Sequence, residues 1–496
     1  MNLEREIKLH VPPGFVLPDL AVAGLSATVR DPRRTLAVYH DTEDLAIVRW
    51  GCSLRHRDGE GWTVKLPSEG DGESLTRAEH VFPADPGPAT RRPPPEALDL
   101  VRAYVRGRPV APVARLQTLR RTVELTDGLG RPALVVTDDE VSVMRDRRVA
   151  SRFREVEVEL APGAPEEPLE AVVARLLEAG AGPVDNVPKL RRALGSVADA
   201  PAEVLVPDLG DGATVAEVVR GALAASAVRL LRHDAGVRLG DEPEDVHQAR
   251  VATRRLRSDL RTFRGLLEPA WVEPLREELG WLGGALGVVR DAEVLRDRLR
   301  GREPMLTLED RRAVQELVRS VEQSRERARA RLLDSMRGER YDVLLDSLVD
   351  GANRPPVLAE VGEHPATEVL RPALEGPWKH LRTAIGAIVD DPRDEALHAA
   401  RIRAKRVRYA AEAVAPVFGK RARAFAQAAA DLQEILGEHQ DAVVAGAWLR
   451  EAAAAGADAF VAGELAAIEA RAALDAREAW PAAWKALSRK RLRFWT

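Results

Sequence analysis

Along this chain the spacing between charged and apolar residues changes once, from two to about 3.6, and no other feature constrains the fold as much. Near the start, in EREIKLHV, Glu4, Glu6 and Lys8 alternate with Ile7 and Leu9. Successive side chains of a strand point to opposite faces, so one face here is ionic and the other apolar. TLAVYHDT, CSLRHRDGEGWTVKLPSEG, VARLQTLRRTVELTDGLGRPALVVTDDEVSV and SRFREVEVELAPG continue this texture to about residue 160, with DGEG and TDGLG as hairpin connections. From about residue 213 to the end, long Ala/Leu/Arg stretches such as TVAEVVRGALAASAVRLLRHDAG take the helical period. Between them, 162–194 reads as a helix (PLEAVVARLLEAG) with a return segment, and 196–212 as a linker. The expectation is an α+β multidomain protein with a β domain over 1–195 and an all-α domain over 213–496.

The chain has 496 residues, 45% hydrophobic and 31% charged, enough for each part to bury its own core. The net charge is −4, and neither part is basic in bulk, which argues against undirected binding to nucleic acid or an anionic membrane. With one cysteine, Cys52, there is no intrachain disulfide framework, and the thiol reads as a small core residue. With no leader and no apolar run long enough to span a bilayer, the expected location is the cytoplasm.

Arginine carries nearly all the positive charge; only three lysines, Lys8, Lys65 and Lys189, fall in the first 378 residues. Lysine is a compact point charge where arginine is a planar fork, so these three positions stand out. Arg55 and Arg57, Arg120, Asp138, and Glu155, Glu157 and Glu159 lie on further strands, with same-face spacing wherever a strand carries more than one. Alternating charge on one strand ordinarily marks a solvated face, but a small closed barrel fills its lumen with the residues of one face. Inward lysines and arginines repel by about 4 kcal/mol per pair at ~4 Å and an effective dielectric of 20, so such a lumen expects a polyanion. Grouped carboxylates would repel a phosphate unless a hard divalent cation sat between them.

EREIKL has the Glu-x-Glu-x-Lys signature of the CYTH domain, and residues 1–195 resemble these triphosphate tunnel metalloenzymes through WTVKLP, TLRRT, VVTDD, EVEVEL and PKLRRAL. The resemblance implies an eight-stranded antiparallel β-barrel. It implies that Lys8, Arg55, Arg57, Lys65, Arg120 and Lys189 hold phosphate oxygens, with Lys8, Lys65 and Arg120 closest to the chemistry. It also implies that Glu4, Glu6, Asp138 and the glutamates of the last strand hold Mg²⁺ or Mn²⁺. Spacing does not choose among Glu155, Glu157 and Glu159; the first two are favoured. Arg77 is a weaker candidate for the same surface.

The helical part repeats itself. HQARVATRRLRSDL starts at His247 and HAARIRAKRVRYAA at His398, followed by LGVVRD ending at Asp291 and LGEHQD ending at Asp441. Two similar units point to a duplicated bundle with pseudo-twofold symmetry. At 100° per residue, His247, Arg250, Arg254, Arg257 and Arg261 share one face, as do His398, Arg401, Lys405 and Arg408. These stripes resemble the CHAD domain, which implies binding of inorganic polyphosphate between the halves; Gln440 in place of Arg290 and Lys405 in place of Arg254 depart from the first unit. The histidines read as hydrogen-bond partners rather than metal ligands. The leading expectation is a metal-dependent inorganic triphosphatase whose helical half binds polyphosphate. The alternatives are a polyphosphate receptor without turnover, and an adenylate cyclase or thiamine triphosphatase of the same barrel family.

Overall fold

The computed structural model describes residues 2–67, 75–83, 92–210, 212–389 and 392–495, with no side chains described at 2–4 and 75–77. The chain forms two compact units, Met1–Glu203 and Val204–Thr496.

Among the described residues, the first unit is built on nine antiparallel strands: β1 (Asn2–His10), β2 (Ser26–Val29), β3 (Arg33–Asp41), β4 (Ser53–Arg57), β5 (Gly61–Pro67), β6 (Leu75–Phe82), β7 (Ala111–Thr126), β8 (Pro132–Arg145) and β9 (Arg148–Leu160). Pairing runs β7-β3-β4-β5-β6-β1-β9-β8 and returns from β8 to β7, so eight strands close into a ring and β2 sits beside β7. The hairpins are where turn chemistry puts them. Between β7 and β8, Asp127 Oδ1 accepts from the amides of Leu129 and Arg131, each at 2.9 Å, while Gly130 takes a φ of 76°.

The barrel is inverted relative to an ordinary core. On β1, Glu6 and Lys8 line the lumen, whereas Leu9 is buried outside it with Val156 and Val158 of β9. Leu169, Val172 and Leu176, from the helix Glu167–Glu178, cover that outer apolar layer. A second apolar cluster joins the inward residues Tyr39, Leu116, Val141 and Val143 to Leu190 and Ala198, which follow Lys189 in the chain. Residues after 195 stay with this unit: Ala198 is fully buried, and Glu203 pairs with Arg106 at 2.6 Å.

The second unit is helical. Thr214 opens it with a capping box, its backbone amide donating to Glu217 Oε2 at 2.9 Å. The two basic sequences lie on the helix Pro243–Thr262 and at the start of Asp394–Ala454, which breaks at Gly419 (φ 64°). The LGVVRD run lies on the helix Pro269–Arg302. Among the described residues, no helix is long and apolar enough to cross a membrane.

Candidate functional site

The lumen holds a cavity of about 790 Å³. All six cationic residues expected there, Lys8, Arg55, Arg57, Lys65, Arg120 and Lys189, line it. So do Glu6, Glu157 and Glu159. Strand parity explains this convergence, because directly opposed residues of an antiparallel pair share a face. Lys8 stands opposite Glu157, Lys65 opposite Glu79, and Arg120 opposite Asp139.

Lys189 is the electrostatic centre. It begins the short helix Lys189–Leu194, and its Nζ lies 2.8 Å from Asp139, 3.1 Å from Glu155 and 2.8 Å from Glu157. Lys8 Nζ contacts Glu6 at 3.2 Å and is bonded to Glu157. Arg120 grips Asp139 through two bonds of 2.8 and 2.6 Å and reaches Glu157 at 3.3 Å. Across the lumen, Glu79 links Arg55 at 3.2 Å to Lys65 at 3.5 Å, and Glu60 holds Arg57 at 2.6 Å.

Burial would push the Glu157 carboxyl up, but Lys189, Lys8 and Arg120 together hold it well below the usual range. Asp139 is lowered in the same way, with Lys189 and Arg120 overcoming its burial. Glu155 goes the other way: burial and the charge of Glu157 raise it despite Lys189. Lys189 is raised, its three carboxylates outweighing desolvation.

One expectation needs correction. Asp138 does not enter the lumen; it stands opposite outward-facing Val156 and is held by Arg154 at 2.8 and 2.7 Å and by Arg121 at 3.4 Å. The inward carboxylate is Asp139, opposite Arg120 and Glu155. The run LVVTDDEV carries acids at consecutive positions, so either parity satisfies the sequence; only the register chooses. Asp139, Glu79 and Glu60 were not foreseen. Period two within LTRAEH could have pointed to Glu79, which shares parity with Arg77. The side chains of Glu4 and Arg77 lie outside the described residues; their backbones are paired with each other in β1 and β6.

In the helical unit, His247, Arg250, Arg254, Arg401 and Lys405 meet around a cavity of about 370 Å³. Arg290 and Arg298, from the helix Pro269–Arg302, line it as well. The two LGxxxD runs act alike. Arg250 bonds Asp291 at 2.8 Å and Arg401 faces Asp441 at 3.8 Å, while a Cβ at Gly287 or Gly437 would come within 3.7 Å of Arg250 or Arg401. His398 Nδ1 bonds Gln440 at 2.6 Å, so the second histidine stands behind a residue that lines the basin. Burial, then the charges of Arg401, Arg254 and Arg250, push the Lys405 amine down to about 7.

The stripes are not uniform. Arg257 lies against Gly280, Arg408 is held by Glu412 at 2.7 Å, and Arg261 lines a different depression. Arg261 stands fourteen positions after His247, about 21 Å of rise, and neither it nor Arg257 lines this basin.

Comparison with known proteins agrees with this division. The CYTH domain model matches residues 2–190 and the CHAD domain model residues 221–450. An uncharacterized protein of Mycobacterium tuberculosis (strain ATCC 25618 / H37Rv) is 35% identical over 98% of this chain and 97% of its own. Two solved structures are similar to part of the chain. PptA from Streptomyces chartreusis is 27% identical and covers 55% of this chain and 100% of its own, with a TM-score of 0.46. The CHAD domain from Ricinus communis is 29% identical and covers 58% and 96%, with a TM-score of 0.47. The chain belongs to the family that joins a CYTH domain to a CHAD domain.

Proposed function

We propose that the barrel hydrolyses inorganic triphosphate and short polyphosphate with the help of a divalent metal, and that the helical unit binds long-chain polyphosphate. We assign 1–195 to the first activity and 213–496 to the second, and place the protein in the cytoplasm. The observation that carries the reading is the lumen itself: seven lysines and arginines, the six expected ones and Arg191, interleaved with carboxylates in one cavity of about 790 Å³. A solvated salt-bridge face would not be enclosed, and a dry structural network would leave no room for a ligand.

A triphosphate entering this lumen would draw Lys8, Arg55, Arg57, Lys65, Arg120 and Lys189 partly away from their carboxylates toward its own oxygens. The carboxylates so released, Glu6, Asp139, Glu155, Glu157 and Glu159, are hard oxygen donors suited to Mg²⁺ or Mn²⁺. The fit is supported by Asp139, Glu155 and Glu157 already sharing one cationic centre, although that centre is now Lys189 and, among the described residues, no metal-ready cluster of three stands by itself. A bound divalent ion would offset charge on the phosphate oxygens. Water supplies the attacking oxygen, the bond from the terminal phosphorus to its bridging oxygen breaks, and Arg120 and Lys189 are placed to take up charge on the departing pyrophosphate. No covalent nucleophile is required, and Cys52 is buried.

Phosphate release from tripolyphosphate at saturating Mg²⁺ tests the reading in two variants. Glu6→Gln and Lys8→Ala should both lose turnover while keeping the fold. Wild-type rates in both would overturn it.

A further inference from the structure

The two basic helices correspond at an offset of 151 residues, which pairs Arg255 with Arg406, Arg257 with Arg408, and Arg261 with Glu412. Across the halves Arg255 is bonded to Glu412, and Glu412 also accepts from Arg408 at 2.7 Å. One carboxylate thus neutralises two guanidinium groups. A pseudo-twofold axis repeats each contact with its partners exchanged. The repeat of Arg255–Glu412 is Arg406–Arg261, and the repeat of Arg408–Glu412 is Arg257–Arg261. Where one side has an acid, the other has a third arginine.

The structure bears out the mismatch. Arg406, Arg276 and Arg257 are the charges that act on the Arg261 guanidinium, and each opposes it. Arg276 is satisfied by Glu273 at 3.0 Å. Among the described residues, Arg261, Arg403 and Arg406 have no carboxylate partner; Arg403 donates only to the carbonyl of Ala399 at 3.1 Å. With Ser258, Thr262 and His380 these three line a depression of about 290 Å³. It is separate from the basin around Arg254: Arg261 stands seven positions further along the helix, a rise of about 10 Å.

We propose that this depression is a phosphoryl-binding site, created where the duplicated halves exchange a glutamate for an arginine. Three guanidinium forks suit the oxygens of a phosphoryl group, and the Ser258 hydroxyl adds a neutral donor, that of Thr262 being donated to the Ser258 carbonyl at 2.9 Å. The group is either free orthophosphate or a unit of a polyphosphate chain that also occupies the basin. The site itself does not rest on the polyphosphate reading; only its use by such a chain does.

The test uses the full chain in EDTA, which blocks metal-dependent turnover. Arg261→Glu installs the residue that the other half already carries, so the ion pair it creates with Arg406 has a native counterpart. Arg312→Glu makes the same charge change on an exposed helix face. Arg250→Ala/Arg401→Ala disables the basin alone. Two quantities are read: the rise in Tm caused by orthophosphate, and the Kd for long-chain polyphosphate.

Arg261→Glu should reduce the orthophosphate response if free phosphate is the ligand, or weaken polyphosphate about tenfold if a chain is. Arg312→Glu should leave both as in the parent. If Arg261→Glu changes neither quantity, or changes them no more than Arg312→Glu, the proposal is overturned. A basin variant with full polyphosphate affinity beside a weakened Arg261→Glu would remove the basin reading and leave this site standing.

Discussion

Replacing Lys189 with Met would remove the one ammonium shared by Asp139, Glu155 and Glu157 at 2.8, 3.1 and 2.8 Å. All three carboxylates are buried; among the described residues, Arg120 and Lys8 would remain beside Glu157, Arg120 beside Asp139, and Arg192 beside Glu155 at 3.6 Å. Breaking a buried ion pair from one side costs about 3–5 kcal/mol, because the charge left behind is uncompensated. For a unit of this size, that corresponds to a fall in Tm of roughly 6–20 °C. The dependence on pH carries the sign. In the parent, Glu157 and Asp139 are held below the ordinary carboxylate range, so their contribution to stability is present above that range and fades as pH falls through their lowered values. In Lys189→Met the balance tips toward burial, which raises those carboxyls. The deficit should therefore be largest near pH 8 and shrink toward about pH 5 as they take up protons. Mn²⁺ supplies positive charge to the same oxygens and should raise the Tm of the variant more than that of the parent. Calorimetry across pH, with and without Mn²⁺, reads all of this. A deficit that is flat with pH and indifferent to Mn²⁺ would refute the reasoning.

The two neighbouring aspartates separate cleanly. Asp139→Asn should reduce tripolyphosphate turnover about 100-fold or more, whereas Asp138→Asn should lower thermal stability through lost contacts with Arg154 and keep turnover, as paired rate and melting measurements would show. Lys405, pushed down to about 7 by burial and its arginine neighbours, should be raised again by a bound polyanion. Its protonation then favours binding, so polyphosphate affinity should fall as pH rises through 7, and Lys405→Arg should flatten that profile in titrations at several pH values. Arg250→Ala/Arg257→Ala combined with Arg401→Ala/Arg408→Ala should weaken long polyphosphate steeply and reduce the salt dependence, with tripolyphosphate hydrolysis nearly unchanged; filter binding at two salt concentrations decides it.

Much of this was legible in the sequence because strand periodicity is a strong code. Alternation in EREIKLHV and EVEVEL placed Glu6, Lys8 and Glu157 in one lumen before any pairing was known. The code fails where it is degenerate. At Asp138–Asp139 either residue can face inward, and the choice is made by cross-strand partners a long way off in sequence. Glu79 was missed for a related reason: its role depends on standing opposite Lys65, and register is not written in a single strand. In the helical unit, an angular sector predicted the basic face but not its extent. Arg261 shares the sector with Arg254 and yet belongs to another depression, because a helix in contact with several neighbours presents different partners along its length. Arg290 stood out through the repeated LGxxxD run, but Arg298 was hidden among the many arginines of its helix, where nothing local marks which ones turn inward.

We propose the lumen as a metal-dependent triphosphatase site for an inorganic substrate. Initial rates of phosphate release from tripolyphosphate, ATP, thiamine triphosphate and long-chain polyphosphate, each with and without Mg²⁺ or Mn²⁺, test it most directly. Rapid release from tripolyphosphate that depends on the metal is expected, with slower turnover of the two organic triphosphates. Metal-independent release, a clear preference for ATP or thiamine triphosphate, or no release from any of the four would contradict it.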